Sequence, residues 1–381
     1  MTALAKRFLT NAILTIFALA VAFSFGEIMV RLLYKSRIDL FPRYHTDYHY
    51  GRYTIRGIRP NATYWTTSVD GSWKFVTNSK GFRNTKEFTY AKPPNALRVL
   101  SLGDSHTQGY EVRQEHTYSA VLERFLNFRG KEAEVINAGV SGFGTAEEVA
   151  FLENEGIRYS PDVVVLGFFA NDFDDNVKAG LFGLDAGNRL TEEKYEHIPG
   201  VQIQNAIYSI PATQWLSENS YFYSLLFNTV WIYFKGRLSE SSANQVVVKT
   251  EGAPAAPVGE FEYAVPTSTT FSEYQIALTA ALIERMHRFC SDRGIRFIVV
   301  DIPRSPQRYR FSSSVPPTLL MMLQAANIEY VSSQSVLLRL DGVAEMHAPH
   351  GQFHISEITH TLIGAELGER LLASVLRTRK Q

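Results

Sequence analysis

The feature that most constrains the fold is a regular alternation of short apolar runs with longer segments of helical periodicity. The apolar runs predict five buried strands, at residues 98–102, 133–137, 161–169, 295–301 and 328–331. Apolar residues at helical spacing predict the intervening helices, at residues 116–129, 145–156, 272–293, 316–326 and 356–376. Strands that alternate with helices form a parallel sheet with helices on both faces, which makes the predicted fold class α/β.

Two segments fall outside this alternation. Residues 38–95 are rich in Tyr, Arg, Thr and Trp, and they predict short strands and turns that form a membrane-proximal cap ending near Pro93 and Pro94. Residues 176–271 form an insertion in the main domain, which spans residues 96–381.

The insertion has two parts of different character. Residues 221–235 are aromatic and apolar, which predicts a lid or a packing helix. Residues 237–268 are rich in Ser, Ala, Pro, Gly and Val, a composition typical of a flexible loop.

The amino-terminal segment, residues 1–37, predicts a membrane anchor. Residues 11–25 carry no charge, and apolar character continues to residue 33 with only Glu27 and Arg31 interrupting it. Since about 20 residues span a bilayer, residues 8–30 are long enough. The alternative is a signal peptide cleaved at the small residues 20–22.

Basic residues on the two sides of this segment favour opposite orientations in the membrane. Lys6 and Arg7 favour an amino end in the cytoplasm, whereas Arg31, Lys35 and Arg37 after the span count against it. We place the main body on the extracytoplasmic, or periplasmic, side, as in proteins that this chain resembles.

Composition excludes some classes of function. The chain holds 38 Lys plus Arg and 38 Asp plus Glu, so its net charge gives no reason to expect a nucleic-acid partner. Its single cysteine, Cys290, permits neither an intrachain disulfide nor a thiolate metal cluster. Cys290 lies in a helical pattern and is interpreted as a buried structural thiol.

Four residues that are suited to catalysis lie near the ends of the predicted strands or helices. Ser105 comes directly after the first strand, Gly142 and Asn171 follow the second and third, and His354 precedes the last helix. In an open parallel sheet, ligands bind at the carboxyl ends of the strands. Acyl transfer needs a nucleophile, a base and donors for an oxyanion. The serine and the imidazole can serve as nucleophile and base, and the Asn amide can serve as a donor. The glycine lets a backbone amide approach the substrate as a further donor.

Each group taken alone has an ordinary structural explanation. Asp104 or Ser105 could simply cap a helix, Gly142 could belong to a common turn, and Asn171 could start a loop. His354 could be a solvated loop histidine. The hypothesis therefore depends on all four occurring together at one sheet edge.

The blocks that contain these residues resemble the SGNH, or GDSL-like, hydrolase family. Gly103-Asp104-Ser105, residues 137–142, Asn171-Asp172 and the His354 segment match its four blocks. The residue 78–83 segment and the stretch from Ser105 to Val112 also look like membrane-anchored bacterial members.

The resemblance implies a fold and a set of roles. It implies a three-layer α/β/α sandwich whose parallel five-stranded sheet is flavodoxin-like. Ser105 is then the nucleophile and His354 its base, and the amides of Ser105 and Gly142 with the Asn171 side chain form the oxyanion hole. No metal or cofactor is expected.

The last block departs from the family pattern. The aspartate usually found three residues before the histidine is replaced by Gly351, and a usual glycine by Thr359, with His360 following. Either a Ser105–His354 dyad suffices, another acid such as Glu345 or Asp341 serves, or the enzyme is weak.

The functional hypothesis is a serine esterase acting on a glycan or lipid ester of the cell envelope or of exported material. One alternative is an O-acetyltransferase that passes the acyl group to a polysaccharide with the same residues. A second is a non-catalytic glycan-binding envelope protein. The sequence leaves the oligomeric state open.

Overall fold

The computed structural model describes residues 2–42, 44–193, 199–231, 233, 271–350 and 354–378. The chain forms two compact units. The larger comprises Tyr44–Tyr64, Trp73–Asn205 and Glu260–Gln381, and the smaller comprises Met1–Arg43, Trp65–Ser72 and Ala206–Gly259. The predicted loop at residues 237–268 lies outside the described residues.

Strands are numbered in chain order through the described residues. They are β1 (His45–Tyr50), β2 (Tyr53–Ile58), β3 (Thr63–Ser68), β4 (Gly71–Val76), β5 (Leu97–Gly103), β6 (Ala133–Asn137), β7 (Val163–Phe168), β8 (Phe182–Leu184), β9 (Leu190–Glu192), β10 (Arg296–Asp301) and β11 (Glu329–Val331).

The described helices include the long amino-terminal segment and those that cover the sheet. They are Ala3–Tyr34, Ser105–Gln108, Tyr118–Phe128, Thr145–Asn154, Asp172–Ala179, Pro199–Tyr208, Thr213–Asn219, residues 221–231, Glu273–Ser291, Pro317–Ala325, Ser333–Leu337 and Glu357–Thr378.

The central sheet of the larger unit has five parallel strands in the order β11-β10-β7-β5-β6. Numbered by appearance and read from β6, this is the 2-1-3-4-5 order of flavodoxin-like folds. The predicted fold class and strand order are therefore confirmed. Each predicted sheet strand is present, with ends that differ from the prediction by no more than two residues.

Both faces of the sheet are buried, which explains why its central strand, β7, is apolar throughout. On one face Val99, Val163 and Val165 pack under the helices Tyr118–Phe128 and Glu357–Thr378. On the other face a second cluster joins the sheet to three helices; its members include Leu100, Val164, Leu166, Val149, Leu152, Leu282, Met286 and Leu319. Burying a side chain of this size stabilises the fold by about 1.5–3 kcal/mol.

The sequence analysis made no prediction for the first part of the insertion, and it predicted a lid or packing helix at residues 221–235. The structure begins the insertion with the helix Asp172–Ala179 and the β8–β9 hairpin, which belong to the larger unit and pack on its core through Leu181 and Phe182. Residues 221–231 are helical, and Cys290 is buried in the core, where burial raises the pKa of its thiol to about 12.

Candidate active site

The nucleophile candidate occupies a tight turn at the carboxyl end of β5. Ser105 starts the short helix Ser105–Gln108, and the carboxylate of Asp104 caps it by accepting a hydrogen bond of 2.8 Å from the His106 backbone N–H. The Ser105 residue is 5% exposed. The β-strand therefore delivers this hydroxyl to the sheet edge where ligands bind in such folds.

The histidine candidate lies against this serine although 249 residues separate them in the chain. His354 Nε2 is 2.8 Å from Ser105 Oγ, a normal hydrogen-bond distance, and both residues are buried. Backbone hydrogen bonds from Ala348 N to His354 O and from Ser356 N to Met346 O fix the histidine's segment. The arrangement allows the imidazole to accept the serine proton.

An acid that the sequence analysis did not identify lies behind the histidine. Glu111 Oε2 is 3.4 Å from His354 Nδ1, at the long end of the hydrogen-bond range, and the Glu111 side chain is only 1% exposed. Glu111 follows Ser105 by six residues and has a left-handed backbone with φ of +60°. The serine, histidine and glutamate thus form a continuous chain of polar contacts.

The acids considered from the sequence are engaged elsewhere. Glu345 pairs with Arg308, and Asp341 pairs with Arg310 at 3.0 Å. Gly351 lies outside the described residues. The acid that the described part of the chain brings to His354 is Glu111, which no local pattern in the sequence singles out.

A buried arginine holds the turn that carries Glu111. The Arg83 guanidinium donates to the carbonyls of Gln108, Gly109 and Val112, and it stacks on the Phe75 ring at 3.7 Å. Burial lowers the pKa of Arg83 to about 9. Because these carbonyls flank Glu111, Arg83 fixes the backbone from which that carboxylate reaches the histidine.

The second block of the site is tied to the nucleophile turn. Asn137 Nδ2 donates to the Thr107 carbonyl at 2.9 Å, and Val140 N donates to Gly103 O at 3.0 Å. A Cβ on Gly139 would lie 2.3 Å from the Gln108 backbone nitrogen, so only glycine permits this approach. The half-buried Gly142 follows with φ of +77°, a conformation that glycine adopts without strain.

The third block begins at the end of β7. Asn171 is half-buried and precedes the helix Asp172–Ala179, and its side chain lies near the carboxyl of Asp104, the neighbour of Ser105. An Asn amide group carries two donor hydrogens, which can bind an acceptor. Gly142 and Asn171 therefore lie at the same sheet edge as Ser105, as the order of the strands requires.

The altered position Thr359 and the histidine that follows it have structural partners. Thr359 Oγ1 donates to the Met346 carbonyl at 2.7 Å, which supports the segment that carries His354. His360 Nδ1 accepts a hydrogen bond from Tyr118 N at 3.0 Å, and burial lowers the pKa of His360 to about 3. Both residues act in the packing of the final helix.

A group of buried carboxyls lies next to the nucleophile. Burial raises the pKa of Asp104 to about 6, against the lowering effect of its hydrogen bond from the His106 backbone N–H. Burial, reinforced by the charges of neighbouring acids, also raises the pKa values of Glu148 and Asp172 well above their usual range. The neutral forms of these acids are favoured in the folded protein.

The substitution Asp104→Asn should remove a pH-dependent cost to stability. The folded state holds a proton on Asp104 that the unfolded state releases between about pH 4 and pH 6, so wild-type stability falls as pH rises through this window. The variant's free energy of unfolding should rise relative to wild type by up to about 3 kcal/mol across the window. Denaturant unfolding of the full chain in detergent at several pH values measures it.

The matched control for this measurement is Asp292→Asn, since Asp292 is exposed. That control should show no comparable pH-dependent difference. A difference between Asp104→Asn and wild type that is constant from pH 4 to pH 8 would show that Asp104 is not protonated preferentially in the folded state.

A family model described as the GDSL-like Lipase/Acylhydrolase family matches residues 101–314. An arylesterase of Vibrio mimicus is 33% identical over 75 residues, which are 20% of this chain and 38% of that protein. The chain thus matches less than two thirds of that relative's length.

Solved structures of esterases are also similar at low identity. A two-domain esterase active on acetylated mannans has a TM-score of 0.37 and 12% identity over 72% of this chain and 49% of its own. A lipase/acylhydrolase from Enterococcus faecalis has a TM-score of 0.37 and 16% identity, covering 72% of this chain and 95% of its own. An acetyl xylan esterase has a TM-score of 0.36 and 10% identity, covering 72% and 99%.

The family resemblance predicted from the four sequence blocks is confirmed by the family model, which extends from β5 to beyond β10 and includes three of the blocks. Since that match covers more than half of the chain, the protein belongs to the GDSL-like lipase/acylhydrolase family.

Proposed function

We propose that this protein is a serine esterase in which Ser105 attacks the ester carbonyl and His354 serves as the base. The observation that carries the proposal is the 2.8 Å contact between His354 Nε2 and Ser105 Oγ, in a buried setting at the carboxyl edge of the sheet. A structural hydroxyl has many available partners, whereas a hydroxyl bonded to an imidazole that is itself backed by a carboxylate is arranged for proton transfer.

The proposed reaction has two halves. As Ser105 Oγ bonds to the acyl carbon, its proton passes to His354 Nε2, and the carbonyl oxygen becomes an oxyanion. His354 then returns that proton to the leaving alcohol as the ester bond breaks. Water repeats the sequence on the acyl-serine, which releases the acid and restores the free hydroxyl.

Glu111 takes the part of the acid in this scheme. Its carboxylate beside Nδ1 of His354 orients the ring, keeps the proton on that nitrogen, and stabilises the imidazolium formed when Ser105 loses its proton. This assignment replaces the acid missing at Gly351 and supports a triad rather than a dyad.

The oxyanion hole in this proposal consists of three donors. They are the backbone amides of Ser105 and Gly142 and the side-chain amide of Asn171. The position of the Asn171 side chain near the Asp104 carboxyl, at the start of the nucleophile turn, supports the assignment. Donors that already face the developing negative charge stabilise it without reorganising during the reaction.

A short acyl group, such as acetyl, fits the site best. Ser105 is nearly buried, and the rings of His106 and Tyr110 lie 4.7 Å and 4.9 Å from the His354 ring, so they confine the space around the reacting atoms.

The proposed alcohol is a sugar hydroxyl of an envelope or exported glycan. In the apolar helix Ala3–Tyr34 the chain has a candidate membrane anchor, and we place the catalytic unit on the extracytoplasmic side.

A series of 4-nitrophenyl esters tests the acyl preference. We expect kcat/KM to fall by at least roughly tenfold from acetyl to octanoyl, because extra methylenes meet a confined wall. A higher kcat/KM for octanoyl than for acetyl would instead indicate a lipid ester as substrate.

An acceptor experiment separates the hydrolase from the transferase. With a chemically acetylated oligosaccharide as donor, we expect free acetate to form at the same rate with and without an added unacetylated oligosaccharide. Formation of newly acetylated acceptor, with less free acetate, would assign the O-acetyltransferase function to the same residues.

A further inference from the structure

Two charged residues, Glu27 and Arg31, interrupt the apolar stretch of the amino-terminal helix, and both contact residues 219–222. The Glu27 carboxylate accepts hydrogen bonds from Ser220 Oγ at 2.7 Å, Tyr221 N at 3.1 Å and Phe222 N at 2.9 Å. Backbone N–H groups at the start of a helix have no partner within it, so Glu27 caps the helix at residues 221–231.

Arg31 completes this junction. Its side chain pairs with Glu27 at 2.6 Å, donates to the Asn219 carbonyl at 2.6 Å, and places its guanidinium 5.0 Å from the centre of the Tyr221 ring. The two charges that interrupt the apolar run in the sequence are therefore used to fasten residues 219–222 to the amino-terminal helix.

Apolar packing extends the junction towards the amino end of the long helix. The Phe222 ring lies 5.3 Å from the Phe23 ring, and a Cβ on Gly26 would be only 3.0 Å from the Phe222 ring. Glycine at position 26 thus admits the phenylalanine. Phe222 is held at residues 23–26, inside the uncharged stretch that predicts the anchor.

The helix at residues 221–231 has exposed apolar side chains on its remaining surface. Residues 220–234 contain no charged side chain. Leu226 is 49% exposed and Val230 is 53% exposed, and Trp215 in the preceding helix is 62% exposed. Exposed apolar surface of this kind marks contact with a partner or a membrane.

We propose that the helix at residues 221–231 lies in the membrane interface beside the amino-terminal helix, with a lipid bilayer as the partner of Leu226 and Val230. This inference rests on the proposed anchoring of Ala3–Tyr34. Since Phe222 packs on residues 23–26, a bilayer that surrounds this level of the anchor also meets the attached helix.

Length and composition fit an interfacial position rather than a second span. Eleven helical residues extend about 16 Å at 1.5 Å per residue, about half the hydrocarbon thickness of a bilayer. Tyr223, Phe227 and Trp231 follow one another at helical spacing, with ring centres 5.7 Å and 6.1 Å apart. Tyr and Trp are the residues enriched where a membrane meets water.

Lipid contact can be measured with the full chain in phosphatidylcholine–phosphatidylglycerol vesicles. Leu226→Cys and Val230→Cys are labelled with an environment-sensitive dye, and part of the phosphatidylcholine is replaced by a brominated form that quenches by contact. Phe17→Cys reports on the anchor itself. Phe128→Cys is the matched control, because Phe128 is an equally apolar, 88% exposed residue of the other unit; buried Cys290 is checked with the unsubstituted chain.

We expect brominated lipid to cause a loss of dye emission at positions 226, 230 and 17 but not at position 128. Quenching at position 17 with none at positions 226 and 230 would overturn the inference, although the amino-terminal helix would still be a membrane anchor. Blue-shifted emission at 226 and 230 without lipid quenching would mean that protein covers this face, which also overturns it. Esterase activity of the same vesicles is assayed separately, so a failed esterase proposal is distinguishable.

Discussion

Ser105→Ala is expected to lower kcat for acetyl esters by roughly 10⁴-fold or more, because it removes the protein group that bonds to the acyl carbon in the proposed reaction. The same substitution should abolish covalent labelling by a fluorophosphonate. Ester-hydrolysis kinetics and fluorescence of the labelled protein on a gel measure the two effects. The fold should persist, since the hydroxyl contributes one hydrogen bond and little volume.

The matched control is Ser335→Ala, which alters an exposed serine outside the site and should leave both signals intact. If Ser105→Ala keeps wild-type activity, another nucleophile is responsible. If correctly folded wild-type protein takes up no fluorophosphonate and hydrolyses no ester, the non-catalytic glycan-binding hypothesis is favoured instead.

Glu111→Gln should produce the second largest loss, roughly 10²- to 10⁴-fold in kcat, by comparison with the loss of the acid in serine triads. The glutamine amide matches the carboxylate in size but cannot stabilise the imidazolium. Steady-state kinetics at a fixed pH measure the loss.

Two further variants serve as comparisons for Glu111→Gln. Glu111→Asp keeps the carboxylate and should recover part of the lost rate. Glu115→Gln changes an exposed acid four residues away and should have little effect. Equal rate losses in Glu111→Gln and Glu111→Asp would assign Glu111 a structural role, and an unchanged rate in Glu111→Gln would mean that the Ser105–His354 dyad suffices.

The sequence determined the fold and the position of the site to a large extent. Val163, Val164 and Val165 belong to a run, residues 163–169, that is apolar at every position, a local pattern that indicates burial on both faces of a sheet. Because parallel strands all end at one edge, the residues that follow β5, β6 and β7 had to lie near one another. Ser105, Gly142 and Asn171 could therefore be placed from their positions in the chain alone.

Only the tertiary structure decided which side chains touch. Glu111 has no periodic or motif signal. It reaches His354 because Arg83 holds the 108–112 turn and because backbone hydrogen bonds between residues 346–348 and 354–356 hold the histidine. In the same way, the sequence shows Glu27 and Arg31 only as two charges that interrupt an apolar helix. Their hydrogen-bond partners in the folded chain lie about 190 residues away. Hydrophobic periodicity records whether a residue is buried, but a contact between two polar groups depends on distances that the folded chain sets across the whole molecule.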